Sequence, residues 1–360
     1  MKILYLITGL RLGGAEKQLI LMAVEQKRLG NEVVIVSMES NGYLVPEILS
    51  KDIDIVELNV TGLSSLYDGY KRLAKAIKEF KPDIIHAHMI HANMLSRVYK
   101  FFNSDVKLLN TAHNINEGRL LMNFYRFTRS VPDWSTNVSN EAYAYFIKKG
   151  FFKKQKSSII YNAIDTDSYN TDEQPVDAQK IIAKGDSFVF LFAGRLHQQK
   201  NVPMLLQAFA DLIASNKKTI LLIAGDGALM EPLKNMAAGL SIAEYVRFLG
   251  KRADLPLLMK SADCFVLSSD FEGFGLVVGE AMASGLPVIA TDCGGVAEVM
   301  GPYGQLVKRN DVKELSNAML NQMERTANKG ILADARSYIC QRFGKAHIAG
   351  QWLQLYHRML

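Results

Sequence analysis

DCFVLSSDFEGFGLVVGEAMASGLPVIAT, residues 263–291, decides the fold. Its apolar run Asp263–Ser269 reads as a buried strand, the stretch Glu272-Gly-Phe-Gly275 as a glycine turn, Leu276 onward as a helix, and Leu286–Thr291 as the next strand. Strand, helix and strand in so short a span form a βαβ unit, which requires a parallel sheet. The turn aims the amides of Gly275 and Leu276 along a helix axis, an arrangement that attracts an anion such as a diphosphate. One carboxylate, Glu272, sits before the turn and another, Glu280, on the young helix. A carboxylate accepts well from paired hydroxyls and is a poor neighbour for a phosphate. Two of them bracketing an anion-binding turn therefore suit a sugar nucleotide, with a ribose on one side and a second sugar on the other.

The same alternation extends along the rest of the chain. KILYLIT, EVVIVSM, DIVEL, DIIHAH, KLLNTA and STNVS are strand-like, separated by helical patterns near 15–29, 66–80, 91–102, 118–130 and 140–149. After SSIIYN the pattern lapses through a polar segment, 164–186, and restarts with FVFLFAG. TILLIAGDG, YVRFLG, DCFVLSS, LPVIAT and GQLV follow, and helical patterns over 311–342 and 345–360 close the chain. The reading is α/β, with two doubly wound domains divided at the lapse into 1–165 and 166–344. Ligands are expected at the C-terminal ends of the strands, in the cleft between the domains.

Composition agrees with two domains, since 360 residues at 49% hydrophobic content exceed what one core usually serves. No apolar run approaches the ~20 residues of a membrane span, and Met1-Lys2 leads straight into a strand, so neither a signal peptide nor a transmembrane helix is expected. Three cysteines, Cys264, Cys293 and Cys340, lack metal-ligand spacing and point to core thiols in a reducing, cytoplasmic setting. Charge is uneven. Residues 1–160 carry 22 Lys+Arg against 15 Asp+Glu, or +7, leaving 20 against 21, or −1, for 161–360. The first half is thus suited to something anionic, such as a membrane surface or a phosphorylated acceptor. Basic and aromatic residues interleave at 119–129 and 143–156, where an interfacial helix competes with ordinary core packing of the aromatics. No nucleic-acid-binding motif appears.

Further candidates follow from residue type. Arg195 and Lys200, after the first strand of the second series, supply the fixed positive charge that transfer from a sugar diphosphate needs without a metal. Gly13 and Gly14, after the first strand, let a backbone approach a phosphate or sugar. They also imitate a nicotinamide site, with Glu39 as its ribose acid, yet the full G-x-G-x-x-G pattern is missing. His86, His88 and His91 invite a zinc reading, but no carboxylate or cysteine completes the set, so cleft-wall packing is preferred.

Several segments together carry a family resemblance: TGLRLGGAEK at 8–17, IHAHM at 85–89, TAHN at 111–114, NAID at 162–165, AGRLHQQKN at 193–201, AGDG at 224–227 and EGFGLVVGEAMASGLPVIATDCGG at 272–295. In this order the chain resembles the retaining nucleotide-sugar glycosyltransferases of family 4. The resemblance implies two facing Rossmann-like domains, the glycosyltransferase-B (GT-B) fold, with the C-terminal helix, about 345–360, returning to the N-terminal domain. It implies a UDP-sugar donor in the C-terminal domain and an acceptor hydroxyl, on a polysaccharide or lipid-linked glycan, presented by the N-terminal one. Catalytic roles then fall to His113, Glu272, Arg195 and Lys200, and donor contacts to Gly13, Gly14, Arg195, Lys200, Phe274, Gly275, Leu276 and Glu280. Glu280 would hold the ribose, while Glu272 and His113 position the sugar. No metal and no cofactor are expected, and the enzyme would be cytoplasmic, peripheral on an anionic membrane. A non-hydrolysing UDP-sugar epimerase and a noncatalytic nucleotide-sugar binder remain as alternatives. Ala163 in NAID stands where relatives commonly have glycine, and Ala112 precedes the histidine at a position where the family varies.

Overall fold

The computed structural model describes residues 1–11, 13–113, 119–169, 187–215, 218–324 and 328–360. Most of the polar segment read as a domain boundary, and Asn114 of TAHN, lie outside the described residues. The chain divides into two compact units, Met1–Ala163 with Lys345–Leu360, and Ile164–Gly344.

In the first unit the elements run β1 (Lys2–Ile7), α1 (Gly14–Arg28), β2 (Glu32–Ser37), α2 (Val45–Leu49), β3 (Asp54–Glu57), α3 (Leu66–Phe80), β4 (Ile84–His88), α4 (Ile90–Phe102), β5 (Lys107–Ala112), α5 (Arg119–Phe127), β6 (Trp134–Asn137), α6 (Asn140–Lys148) and β7 (Ser157–Ile159). The second unit has β8 (Phe188–Ala193), α7 (Val202–Ser215), β9 (Thr219–Ala224), α8 (Met230–Gly239), β10 (Val246–Gly250), α9 (Leu255–Ser261), β11 (Cys264–Leu267), α10 (Leu276–Ala283), β12 (Val288–Thr291), α11 (Val296–Met300), β13 (Gln305–Val307), α12 (Val312–Glu324) and α13 (Lys329–Phe343). The last helix, α14 (Lys345–Met359), belongs to the first unit.

Among the described residues the strands form a seven-stranded sheet, β3-β2-β1-β4-β5-β6-β7, and a six-stranded one, β10-β9-β8-β11-β12-β13, with every paired neighbour parallel. Both faces of such a sheet are covered by helices, so its central strands are apolar throughout rather than alternating. β1 shows this, with Ile3, Leu4, Tyr5, Leu6 and Ile7 all 0% exposed. Full burial of each such aliphatic side chain contributes about 1.5–3 kcal/mol. The odd-numbered members join α1 and α14 in one core, and Leu4 and Leu6 join α3 and α4 in the other.

Helix ends follow local chemistry. Ser139 caps α6 by accepting from the Ala142 amide at 3.3 Å, and Asn328 caps α13 by accepting from the amides of Gly330 and Ile331 at 3.0 and 3.3 Å. The single helical pattern expected over 311–342 is therefore two helices. The C-terminal helix returns as the resemblance implied: α14 packs on α1, where Gln26 Nε2 donates to the Ala349 carbonyl at 2.8 Å. Tyr356 on α14 also lies 3.1 Å from the buried Tyr5 hydroxyl on β1.

Candidate active site

In the second unit the chain winds outward from β8 in both directions, to β9 and β10 on one side and to β11, β12 and β13 on the other. The loops leaving β8 and β11 therefore diverge at a switch point, where a doubly wound sheet opens a crevice at its strand ends. Arg195 and Lys200 lie in the first of these loops and Glu272 to Gly275 in the second, so the topology alone makes them neighbours.

The contacts are close. Lys200 Nζ donates to Glu272 Oε1 at 2.5 Å, and Ser269 Oγ donates to the same oxygen at 2.7 Å. The two charged side chains are only 16% and 11% exposed. Backbone and amide bonds stitch the loops together: the Asp270 amide donates to the Gln199 carbonyl at 2.9 Å, and Gln199 Nε2 to the Phe271 carbonyl at 2.7 Å. Asn201, held left-handed at φ 44°, donates through Nδ2 to Asp270 Oδ1 and Asn310 Oδ1, both at 2.8 Å. The other named cation is disposed differently. Arg195 is exposed and its guanidinium has no partner among the described residues. Glu272 thus neutralises Lys200, whereas Arg195 carries an uncommitted charge in the loop after β8, and a third cation, Arg309, donates through Nη1 to the Asp270 carbonyl at 3.4 Å.

The glycine turn is forced by close approach. Gly275 occupies the left-handed region at φ 88° as the residue before α10. Gly294, at φ 54°, passes so near the Glu272 carbonyl oxygen that a Cβ there would clash with it, and the Gly295 amide donates to that same oxygen at 3.3 Å. The Gly294-Gly295 pair thus holds the Glu272 backbone in place. Phe274 is 3% exposed, its ring meeting Phe343 edge to face at 5.4 Å. Glu280, one turn into α10, accepts from the Tyr169 hydroxyl, whose pKa is raised by burial and then by the Glu280 charge. Burial pushes the neighbouring Cys293 thiol up to about 11, so it is unreactive at neutral pH, as expected of a core thiol.

In the first unit the switch point lies at β1 and β4. Gly13 directly precedes α1 in an extended conformation, φ −142° and ψ 168°, and a Cβ on it would overlap the Glu16 carboxylate. With an acid in the first turn, this helix start suits sugar hydroxyls better than a phosphate. Glu39, the imitator of a ribose acid, is instead paired with Arg11 through two bonds of 2.9 Å.

His86 and His88 lie on one face of β4, 1% and 3% exposed, while His91 is exposed on α4, so the three do not converge. No group of three metal-binding side chains exists among the described residues. His86 has both ring nitrogens engaged, Nδ1 with the Tyr356 hydroxyl at 2.8 Å and Nε2 with Thr111 Oγ1 at 2.7 Å. His88 Nδ1 lies 3.0 Å from Nε2 of His113, which follows β5. Burial lowers the pKa of His113 to about 4, and those of His86 and His88 well below the ordinary range. All three are neutral at physiological pH.

The basic and aromatic segments separate into inner and outer parts. Phe146, Phe151 and Phe152 are buried with Met122 and Tyr125, and Tyr143 and Tyr145 pack half-buried against them, so the aromatics of 143–156 turn inward while its lysines face solvent. On α5, by contrast, Phe124 and Phe127 are 37% and 87% exposed. Arg97, 1% exposed on α4, ties the two helices together: it donates to the Tyr125 carbonyl at 2.9 Å and to Thr128 Oγ1 at 3.0 Å, with its guanidinium 3.6 Å from the Tyr125 ring centre. No helix among the described residues is long and apolar enough to cross a membrane.

Ser269 and Tyr169 went unread in the sequence, where Asn201 figured only within AGRLHQQKN and His88 only in a set assigned to cleft-wall packing. Two signals pointed to them: polar Ser268-Ser269-Asp270 directly after an apolar strand, and histidine at alternate positions in a strand otherwise apolar.

Comparison with known proteins gives two matches in tandem. Residues 12–168 match Glycosyltransferase Family 4, and residues 173–330 match Glycosyl transferases group 1. A UDP-Gal:alpha-D-GlcNAc-diphosphoundecaprenol alpha-1,3-galactosyltransferase of Escherichia coli is 29% identical over 293 residues, 77% of this chain and 73% of the relative. The N-acetyl-alpha-D-glucosaminyl L-malate synthase of Bacillus anthracis is 27% identical over 80% of this chain and 78% of its own. Among solved structures, Anabaena HepE in complex with UDP-glucose superposes with a TM-score of 0.87 at 25% identity, covering 99% of this chain and 100% of that one. These matches, and the order of the strands in both sheets, lead to one conclusion: the chain belongs to the family 4, group 1 glycosyltransferases, enzymes of the GT-B fold.

Proposed function

We propose that the protein transfers a sugar from a UDP-sugar to an acceptor hydroxyl with retention of anomeric configuration and without a metal. The observation that carries the reading is the convergence, at one switch point, of Lys200, Arg195, the left-handed Gly275 turn and the buried Glu272. The diphosphate lies against the Gly275 and Leu276 amides, where the helix start and Arg195 stabilise the charge that develops on the leaving group. Lys200 reaches the same charge while it orients Glu272. Glu272, fixed through one oxygen by Lys200 and Ser269, offers its other oxygen to the donor sugar, and Glu280 accepts from the ribose hydroxyls once Tyr169 yields. His113 steadies the donor sugar. Gly13 and Gly14 give the sugar side a close backbone approach, and the unit spanning 1–163 presents the acceptor.

A UDP donor is supported by the UDP named in the E. coli relative and by the UDP-glucose bound in Anabaena HepE. A glycan on a lipid diphosphate is the acceptor class in that E. coli relative's name, and the outer surface of this protein suits it. Phe101, Phe102 and Phe127 are 71%, 71% and 87% exposed, on helices fastened together by Arg97 and rimmed by exposed Arg126 and Arg129. Aromatics beside cations fit an anionic bilayer surface, which supports a peripheral enzyme on the cytoplasmic face. Incubation with UDP-galactose, UDP-glucose or UDP-N-acetylglucosamine and a polyprenyl-diphosphate-linked sugar tests the reading. An α-linked product from an α-donor supports it. An inverted product, or donor isomerised with no acceptor consumed, overturns it in favour of another chemistry.

A further inference from the structure

We propose that His88 is a positioning residue that fixes the tautomer of His113, so that His113 meets its ligand as a hydrogen-bond donor through Nδ1. The assignment of a ligand rests on the proposed function; the tautomer itself does not.

His88 Nδ1 and His113 Nε2 stand 3.0 Å apart with their rings stacked at 25°. Two neutral imidazoles in this position share a single proton, and only two arrangements are available. In the first, His88 carries its proton on Nδ1 and donates to His113 Nε2. His113 then holds its own proton on Nδ1. In the second, His113 donates from Nε2, and His88 must carry its proton on Nε2.

The surroundings of His88 decide between them. Its Nε2 is buried and has no hydrogen-bond partner among the described residues. The second arrangement would bury an N–H with no acceptor, and orphaned buried donors are the rarer defect in folded proteins. The first leaves only an unsatisfied lone pair on Nε2, in a ring whose centre lies 4.0 Å from that of His86. His86 cannot substitute in either arrangement, because the Tyr356 hydroxyl and Thr111 Oγ1 already occupy its two nitrogens. Burial keeps the pair neutral, so no second proton dissolves the choice.

The consequence is chemical. The His113 Nε2 lone pair is occupied, and its remaining nitrogen carries hydrogen. Such an imidazole donates to a sugar hydroxyl oxygen or a phosphate oxygen and takes no proton. The acceptor hydroxyl must lose its proton elsewhere, to the departing phosphate oxygen.

Long-range 1H–15N correlation spectra of 15N-histidine-labelled protein at pH 7, assigned with a His113→Asn variant, read the tautomer directly and need no substrate. The expected spectrum has His113 protonated at Nδ1. In His88→Phe, which keeps the ring and removes the donor, His113 shifts toward the Nε2–H form and donor KM rises about 10-fold, the equivalent of one hydrogen bond. His88→Asn, whose side-chain amide reaches the same place, restores the Nδ1–H form and holds KM within about 3-fold of wild type. A wild-type His113 protonated at Nε2, or an unchanged tautomer in a folded His88→Phe, overturns the assignment. Should His88→Phe not fold, the wild-type and His88→Asn spectra still decide. An intact Nδ1–H tautomer in a protein that binds no UDP-sugar counts against the proposed function alone.

Discussion

The two cations of the candidate site have the same formal charge and different environments, which separates their mutational signatures. Lys200 is buried against Glu272, so Lys200→Ala leaves a carboxylate largely desolvated and unpaired, costing about 1–3 kcal/mol of stability in addition to catalysis. Arg195 is exposed and without a partner among the described residues, so Arg195→Ala should shift stability by less than about 0.5 kcal/mol. Both should lower turnover at saturating donor by about 100-fold or more, as expected for loss of one preorganised group that stabilises a leaving group. Urea denaturation beside steady-state kinetics checks the pair. Equal and small stability changes would mean that the Lys200–Glu272 contact does not form in solution, and wild-type turnover in either variant would remove that residue from the mechanism.

Among the elements, the turns are under the tightest constraint. Gly294 holds φ 54° with the Glu272 carbonyl oxygen where a Cβ would go, whereas Gly285 holds φ 74° with nothing within 4 Å. Gly294→Ala should cost about 2–4 kcal/mol and, by displacing Glu272, most of the activity. Gly285→Ala should cost only the left-handed strain of about 1–2 kcal/mol and leave kcat unchanged. Comparable losses of activity in both would show that Gly294 acts on the fold alone. The histidines on β4 and directly after β5 make stability depend on pH. Their folded pKa values lie below the ordinary 6.5, that of His113 at about 4. Below pH 6.5 the unfolded chain binds protons that the folded chain refuses, so their stabilisation is complete above 6.5 and declines as pH falls toward 4. The decline is up to about 1.4 kcal/mol per pH unit for each histidine. Urea midpoints measured from pH 7.5 to 4.5 should fall steeply below 6.5, and a His86→Gln, His88→Asn double variant should flatten that fall. A flat wild-type profile would mean that the cluster is open to solvent.

On the outer surface, exposed Arg126 and Arg129 beside Phe124 and Phe127 on α5 predict salt-sensitive binding to anionic vesicles, with the phenylalanines adding an apolar contact. The Debye length falls from ~10 Å at 0.1 M salt to ~3 Å at 1 M, so a contact made mainly by charge should weaken over that range. Sedimentation with vesicles rich in phosphatidylglycerol should lose most of the bound protein on Phe127→Ser with Arg126→Gln and Arg129→Gln. Replacing Lys148, Lys149, Lys153 and Lys154 should matter less, since the aromatics beside them are turned into the core. Binding indifferent to the α5 changes would place the contact elsewhere or nowhere.

For the molecule as a whole, the fold was legible in the sequence because the central parallel strands, such as β1, β8 and β11, are buried apolar runs bounded by glycine or polar residues, and KLLNTA coincides with β5 residue for residue. What failed to register was short or capped. VPEIL is too brief for helical periodicity, and Asn328 divides a 311–342 pattern that periodicity joins. The charged members of the site were legible because Arg195, Lys200, Glu272 and Glu280 interrupt or follow strands at glycine turns. Their supports were not, since a serine on a carboxylate or a histidine on a histidine depends on distances that only the packed sheet sets. On this reading the second unit binds a nucleoside diphosphate through cations and helix amides, with no metal. Calorimetric titration of UDP into wild type and Glu280→Ala, each in excess EDTA, tests it most directly. Micromolar binding by wild type, undiminished by the chelator and weakened at least about 10-fold in Glu280→Ala, is the predicted result, the loss corresponding to about 1.4 kcal/mol of ribose contact. Binding that vanishes in EDTA and returns with magnesium or manganese, or no binding of UDP at all, would contradict it.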